Sequence, residues 1–254
     1  MNDENKFFKN RQIQIEKQKN SSKMHELSKR WMQESIKTNY SYNFDWLGRP
    51  IIQYPQDMVG VQQLLWTVKP DLIIETGIAR GGSLIYYASI LELISQCGGP
   101  KNGSIVGIDI DIREHNKRAI LEHPMYKRIE LMEGSSTDKA ILEKVSTIAE
   151  GKKKILVCLD SNHTHEHVIQ ELRSYSPFVT KGSYLIVFDT IVQNLPKELV
   201  STRPWGYGNN PMTAVEQFLV EQRNDGNSAD FVVDTDIENT LLLTVAPGGY
   251  LRRV

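Results

Sequence analysis

The sequence predicts an α/β fold in which a mostly parallel β-sheet carries helices on both faces. From about residue 70, short apolar runs alternate with segments of helical spacing, and repeated strand–helix units of this kind build such a sheet. Two of the apolar runs also stop abruptly at a carboxylate, at Asp160 and at Asp189. Buried parallel strands end in this way where they deliver a side chain to the edge of a sheet.

The bulk composition fits one large domain with an added arm. The chain has 254 residues, with 30 basic and 31 acidic ones, so it is long enough for a substantial core and shows no charge excess toward nucleic acid. Residues 1–41 are polar and are predicted to form a helical N-terminal arm, and residues 42–254 the main domain. No membrane span or secretory signal is recognisable. The two cysteines, Cys97 and Cys158, have no metal-binding spacing, so we expect a cytoplasmic protein.

The first half of the main domain alternates regularly. The predicted strands lie at 71–77, 104–111, 128–134, 153–160 and 182–189, and the helices between them at 83–96, 114–122, 137–149 and 165–175. The first helix follows from the spacing of Leu84, Tyr87 and Leu91. The last one must stop before Pro177, because the residue before a proline disfavours helix.

The second half predicts a long loop and a terminal hairpin. Residues 191–210 contain two prolines and two glycines, and a loop of this length in a compact domain is usually functional or mobile. A helix is predicted at 212–223, and the last two strands at 231–234 and 240–245. A seven-stranded, mostly parallel sheet with a C-terminal antiparallel hairpin is the layout of the Rossmann-like class I methyltransferase fold.

A glycine-bearing loop joins the first strand to its helix. Gly77 and Gly81 let the backbone turn tightly and approach a ligand, and Ser83 opens the helix. The spacing Gly-x-x-x-Gly-Gly is neither the phosphate loop nor the dinucleotide fingerprint. A tight turn with no ligand explains the spacing about equally well.

Acidic residues beside this loop favour a nucleoside that carries an amine. Asp109, at the end of the second strand, can accept hydrogen bonds from ribose hydroxyls. Glu75, in the first strand, suits a cationic group better than a pyrophosphate. S-Adenosylmethionine has an amine and a sulfonium and no phosphate, which favours methyl transfer over hydride transfer. Ser135, after the third strand, could contact an adenine edge, although a helix start at Ser136 or Thr137 explains it equally well.

Three histidines follow Asp160 within seven residues. His163 and His167 have a zinc-like spacing of four, but the order of residues is not that of a metalloprotease. His163 lies near the strand end and could act as a general base, since imidazole titrates near neutral pH. His165 and His167 more simply start or solvate the next helix. Asp160, Asp189 and His163 are the groups that a metal-assisted O-methylation needs.

Several motifs together resemble the cephalosporin hydroxylase family. They are the stretch from Asp71 to Ser83, the segment that begins at Asp160, the strand ending at Asp189, and 203–211. The similarity extends from about Tyr42 to the C-terminus. Despite its name, this family resembles class I S-adenosylmethionine-dependent methyltransferases, and it is similar to magnesium-dependent O-methyltransferases that act on macrolide sugars and rhamnosyl groups.

The resemblance implies site residues and partners. It implies that Asp160 and Asp189 are magnesium ligands, that His163 is the base, and that the protein forms homo-oligomers. The better-known members place a Glu just before the second Asp, where this chain has Phe188, so the metal site is expected to be one carboxylate short. Thr190, a water or substrate oxygens could complete the coordination.

The sequence thus predicts a magnesium-assisted, S-adenosylmethionine-dependent O-methyltransferase that acts on a sugar hydroxyl of a glycosylated metabolite or a surface polysaccharide. Asp160 borders the cofactor as well as the metal. Trp205 and Tyr207 could stack on the acceptor sugar, although simple loop packing explains Trp205 equally well. Two alternatives remain at this point. One is a metal-dependent hydroxylase or hydrolase, with iron held by two histidines and Asp189. The other is a non-catalytic subunit that keeps cofactor binding.

Overall fold

The computed structural model describes residues 3–224 and 230–254. Its strands are β1 (Phe44–Trp46), β2 (Arg49–Ile51), β3 (Leu72–Thr76), β4 (Ser104–Asp109), β5 (Ile129–Glu133), β6 (Ile155–Leu159), β7 (Tyr184–Val187), β8 (Phe231–Val233) and β9 (Tyr250–Arg253). Its α-helices are α1 (Asp3–Lys19), α2 (Ser22–Lys37), α3 (Pro55–Val68), α4 (Gly82–Gln96), α5 (Glu114–Leu121), α6 (Lys139–Ala149), α7 (His165–Tyr175), α8 (Lys197–Val200), α9 (Pro211–Asn224) and α10 (Thr235–Leu241).

The main sheet has seven strands in the order β5-β4-β3-β6-β7-β9-β8. The first five in this order run parallel, and β9 pairs antiparallel with both β7 and β8. This confirms the predicted α/β class. After β3 the chain builds outward through β4 and β5 and then returns to the other side of β3 as β6. Ligands bind beyond the carboxyl ends of the strands at such a reversal, so the ends of β3 and β6 mark the place to look for a site.

Both faces of the sheet are buried, which explains why its central strands are apolar throughout. In β3 the side chains alternate between two cores. Ile73 packs against α3 and α4, whereas Leu72 and Ile74 pack on the face covered by α6, α7 and α9. Cys158 is fully buried in the first core.

The predicted position of the last strand is wrong. Residues 235–241 form α10, and the final strand is β9, at 250–253. Asp234 caps the helix by accepting a hydrogen bond from Asp236 N over 3.1 Å. Most of the apolar run at 240–245 lies in the loop that follows α10. In this loop, buried Asp57 accepts a hydrogen bond from Val245 N. The antiparallel pairing of the last two strands is nevertheless present.

The N-terminal region contains more structure than the sequence suggested. Residues 3–37 form α1 and α2, as predicted for a helical arm, and Met1 and Asn2 lie outside the described residues. The β1–β2 hairpin and α3 were not predicted. Leu47 and Gly48 form the hairpin turn, both with positive φ. The domain boundary after residue 41 stays a prediction. In the described part of the chain, no helix has the length and apolar character needed to cross a membrane.

Candidate functional site

The glycine loop after β3 lies directly against the end of β6. Gly77 has φ +82°, and a Cβ atom added there would lie 2.1 Å from the carbonyl oxygen of Asp160. Its N–H donates to Ile108 O over 2.8 Å, and Asp160 N donates to Thr76 O over 2.9 Å. Only a glycine fits this close approach. This contact places the glycine loop beside Asp160.

Asp109 holds the same loop from the other side. Its Oδ2 accepts hydrogen bonds from Ile78 N at 2.9 Å and from Ala79 N at 3.2 Å. Gly81, with φ +78°, ends the loop and precedes α4. The predicted contact of Asp109 with ribose stays a prediction, and the structure adds a second task, which is to fix the loop backbone.

Glu75 is a fully buried carboxyl beneath the loop. Ser83 Oγ donates to its Oε2 over 2.8 Å, while Oε1 has no hydrogen-bond partner among the described residues. Burial raises the pKa of Glu75 to about 8. A buried carboxyl oxygen without a partner suits a ligand that brings a donor or a positive charge.

Ser135 lies in the turn between β5 and α6. Its Oγ accepts from Thr137 N at 3.4 Å and lies 3.1 Å from the hydroxyl of Thr137. Helix α6 begins only at Lys139, with Asp138 as its N-cap, so the alternative helix start at Ser136 or Thr137 is wrong. The adenine contact of Ser135 stays a prediction.

Asp160, His163 and Asp189 converge at the carboxyl ends of β6 and β7. Each offers one ligand atom, and these atoms lie within 4.8 Å of one another. His163 Nδ1 is 2.8 Å from Asp189 Oδ2, and Nε2 is 3.7 Å from Asp160 Oδ1. The short contact is not aligned as a hydrogen bond, so the buried Nδ1 lacks a hydrogen-bond partner in the described residues. Two carboxylates and an imidazole around one point form a donor set for a divalent cation.

The electrostatics of this cluster favour a cation. The pKa of Asp160 lies well above its ordinary value, first because burial disfavours the charged form and then because of the negative charge of Asp189. Asp189 also has a left-handed backbone, with φ 55°. Its neighbours keep it there: Thr190 Oγ1 donates to Pro247 O, and Ile191 N donates to Val245 O. Such strain persists where the surroundings enforce it, often at functional sites.

The other two histidines of the cluster face different partners. The Nδ1 of His165, at the start of α7 as predicted, lies 2.8 Å from Thr213 Oγ1. His167 Nε2 lies 3.1 Å from both Ser136 Oγ and Ser161 Oγ, so it bridges two loops instead of solvating a helix start. The group of Asp160, His163 and Asp189, called the triad below, therefore has a single histidine. These residues therefore form neither the two-histidine iron site of the hydroxylase alternative nor the zinc-like pair of His163 and His167.

Phe188 points away from the site. Its side chain is 2% exposed and packs in the core with Tyr184 and Ile186. The strand alternation thus places this position on the core side while Asp189 reaches the edge. The group formed by Asp160, His163 and Asp189 contains two carboxylates, as expected from the sequence, and position 188 faces the core and does not contribute to it.

The long loop after β7 reaches the triad through Trp205. The Trp205 ring stacks on His163, with centroids 4.8 Å apart and planes inclined by 22°. The guanidinium of Arg203 lies over the same Trp205 ring, 5.4 Å from its centroid. Tyr207 is 71% exposed. The stacking of Trp205 on His163 was not predicted from the sequence, and the stacking of Trp205 on a sugar stays a prediction.

A small cavity lies between the β2–α3 connection and the glycine loop. Gln53, Gly77, Ser83 and Asp160 are among the residues that line it. The structure therefore brings three predicted cofactor residues to one cavity and adds Gln53. Nothing in the sequence pattern pointed to Gln53, because it precedes a helix far from the recognised motifs.

Comparisons with known proteins agree with this geometry. A family described as Rhamnosyl O-methyltransferase/CmcI matches residues 38–254. A rhamnosyl O-methyltransferase of Mycobacterium tuberculosis (strain ATCC 25618 / H37Rv) is 32% identical over 198 residues, covering 78% of this chain and 73% of the relative. One from Mycobacterium leprae (strain TN) is 29% identical over 209 residues, covering 82% of each.

Solved structures share the fold. A CmcI structure described as Mg-SAM has a TM-score of 0.56 at 18% identity and covers 84% of this chain and 77% of that one. The O-methyltransferase TomG from Streptomyces achromogenes, in complex with SAM, has a TM-score of 0.51 at 16% identity, covering 81% and 80%. These likenesses place the seven-stranded sheet among methyltransferase folds.

Proposed function

Because this chain belongs to the rhamnosyl O-methyltransferase/CmcI family, we propose that it is an S-adenosylmethionine-dependent, magnesium-assisted O-methyltransferase that acts on a sugar hydroxyl. The observation that carries the proposal is the position of the triad. Asp160, His163 and Asp189 converge at the strand ends, and the backbone of Asp160 is packed against Gly77 of the cofactor loop.

The residues present fit both S-adenosylmethionine and a magnesium ion. For the cofactor, Gly77 leaves no room for a side chain. Oε1 of Glu75 has no hydrogen-bond partner in the described part of the chain, so it is free to accept from a donor on the ligand. For the metal, Asp160 and Asp189 offer the oxygen ligands that magnesium prefers, and magnesium commonly keeps waters or substrate oxygens as its other ligands. A site with two carboxylates is therefore sufficient, even with Phe188 in the sequence.

The mechanism assigns one task to each side chain. When bound, S-adenosylmethionine supplies an electrophilic methyl group, and magnesium lowers the pKa of an acceptor hydroxyl. Asp160 and Asp189 hold the cation. His163 accepts the hydroxyl proton at Nε2, while Asp189 beside Nδ1 stabilises the resulting imidazolium. Trp205 packs on one face of the imidazole ring and keeps it oriented.

In this proposal, the cofactor side of the site consists of Glu75, Gly77, Gly81, Ser83, Asp109 and Ser135. On the acceptor side, the long loop with Trp205 and Tyr207 contacts a saccharide, as part of a glycosylated metabolite or a surface polysaccharide. The named activity of the mycobacterial relatives supports a rhamnosyl-type acceptor. We further propose that the protein works in the cytoplasm as a homo-oligomer, with residues 1–41 as an arm outside the catalytic domain.

Calorimetry with S-adenosylhomocysteine, S-adenosylmethionine and NAD tests the cofactor. We expect both sulfur nucleosides to bind and NAD not to bind. Incubation of labelled S-adenosylmethionine with rhamnose-bearing acceptors then tests the reaction. If neither sulfur nucleoside binds, with or without magnesium, the proposed function is wrong.

A further inference from the structure

Gln53 is a buried polar residue without an assigned task. Its side chain is 6% exposed, and its Oε1 has no hydrogen-bond partner in the described part of the chain. Gln53 lines the small cavity beside Gly77, Ser83 and Asp160. Buried carbonyl oxygens normally accept a hydrogen bond, because leaving one unpaired is costly. The expected partner is a donor on a ligand in this cavity.

The backbone around Gln53 is held firmly. A Cβ added to Gly82 would lie 2.2 Å from the carbonyl oxygen of Pro50, so β2 sits tightly on the start of α4. On the other side, the hydroxyl of Tyr54 lies 2.9 Å from Ser35 Oγ in a buried contact. The segment between these anchors has little freedom, and Gln53 is therefore positioned before any ligand arrives.

One part of the cavity favours an anion, and another part favours a cation. Gly82 and Ser83 begin α4, a helix of 15 residues whose first N–H groups and dipole favour an anion. Gln53 Oε1 and the carboxylate of Asp160 are acceptors that favour a donor cation. A zwitterionic α-amino acid group presents a carboxylate and an ammonium within one small unit, so it matches both features.

We propose that Gln53 binds the α-amino-acid end of the cofactor by accepting a hydrogen bond from its ammonium group at Oε1. This inference rests on the proposed function and deepens it. The ammonium is the feature that Gln53 selects, so the residue gives the protein a preference for S-adenosylmethionine and S-adenosylhomocysteine over nucleosides that lack the amine.

The test is a cycle of two ligands and several variants, read by calorimetry on the full chain. The ligands are S-adenosylhomocysteine and its deaminated analogue, which keeps the carboxylate and lacks only the amine. The variants are Gln53→Leu, the similarly long Gln53→Met in case the first does not fold, and the control Gln63→Leu, which makes the same change at an exposed position of α3.

The wild-type protein and Gln63→Leu are expected to prefer S-adenosylhomocysteine by roughly 10-fold, the size of one hydrogen bond to a charged group. In Gln53→Leu and Gln53→Met this preference should fall to about 2-fold or less, while affinity for the deaminated analogue changes little. A Gln53 variant that keeps the full preference would overturn the inference and leave the proposed function intact. A wild-type protein that binds neither ligand would instead refute the proposed function.

Discussion

The two sides of the site are built in different ways. On the cofactor side, the glycine loop is fixed by backbone contacts, with Gly77 against Asp160 and two loop N–H groups on Asp109. On the proposed acceptor side, Asp189 has a strained backbone, His163 Nδ1 has no hydrogen-bond partner among the described residues, and Trp205 belongs to a long loop. Both sides keep buried side-chain atoms without a hydrogen-bond partner among the described residues, but the first side is held by backbone contacts, whereas the second relies on a strained residue and a stacked side chain.

This difference indicates how the work is divided. In the proposed function, a preformed loop binds the cofactor, which is the same in every turnover, with little reorganisation. The acceptor side carries the chemistry, so its groups are arranged around a point that a cation and a hydroxyl complete. Substitutions on the two sides should therefore affect different measurements.

The largest effect is expected for His163→Ala. Loss of a general base should lower kcat by about 10²–10⁴-fold, while the affinity for S-adenosylhomocysteine stays unchanged because the cofactor side does not use His163. Binding of Mn²⁺, measured by electron paramagnetic resonance as a substitute for magnesium, shows whether the imidazole is also a ligand. Full activity in the variant would remove His163 from the mechanism.

Glu75→Gln tests the buried carboxyl on the cofactor side. Burial raises the pKa of Glu75 from 4.5 to about 8, so the folded protein holds a proton that the unfolded chain has released between these pH values. The free energy of unfolding should therefore fall as pH rises through this window, by up to roughly 4 kcal/mol. Denaturant unfolding at pH 5 and pH 8.5 should show this loss in the wild-type protein and a smaller one in Glu75→Gln. An equal loss of unfolding free energy between pH 5 and pH 8.5 in the two proteins would contradict the raised pKa of Glu75.

Gly77→Ala, compared with Gly98→Ala, measures the close approach alone. Both glycines have φ +82°, but a Cβ at Gly98 meets nothing within 4 Å, whereas one at Gly77 collides with the Asp160 backbone. Gly98→Ala should cost about 1 kcal/mol of stability from backbone strain. Gly77→Ala should cost about 2 kcal/mol more and weaken S-adenosylhomocysteine binding at least ~10-fold. Similar losses in the two variants would mean that the contact with Asp160 does not matter.

The smallest effect is expected for Trp205→Leu. The Trp205 ring stacks on His163, and an aromatic stacking contact contributes about 0.5–1.5 kcal/mol. A fall in kcat of roughly 3- to 10-fold follows, with unchanged affinity for S-adenosylhomocysteine. Trp205→Phe, which keeps an aromatic face, should recover most of the activity. A variant with the same loss as His163→Ala would show that Trp205 has a chemical role of its own.

The sequence predicted best where local pattern decides structure. The apolar runs that end at Asp109, Asp160 and Asp189 identified three strands and their common edge, because burial on both faces requires apolar strands. Gly77 was recognisable as a turn residue. The Asp160–His163 spacing then placed the imidazole near the same edge.

Long-range contacts account for what the sequence analysis missed. The run at 240–245 looked like a strand, yet buried Asp57 accepts a hydrogen bond from Val245 N and Asp234 caps α10. Gln53 lines the cavity beside the glycine loop in a segment that is placed by the packing of β2 on Gly82. Residues that meet only through packing leave no periodic signal in the chain.

The most direct test of the account is transfer of a labelled methyl group from S-adenosylmethionine to a rhamnose-bearing acceptor, measured with magnesium, after EDTA, and after magnesium is restored. The account predicts transfer with magnesium, at least a ~10-fold loss after EDTA and full recovery on restoration. Transfer at the same rate without a divalent cation would contradict the assigned role of Asp160 and Asp189. Binding of S-adenosylmethionine with no transfer to any sugar acceptor would contradict the proposed reaction.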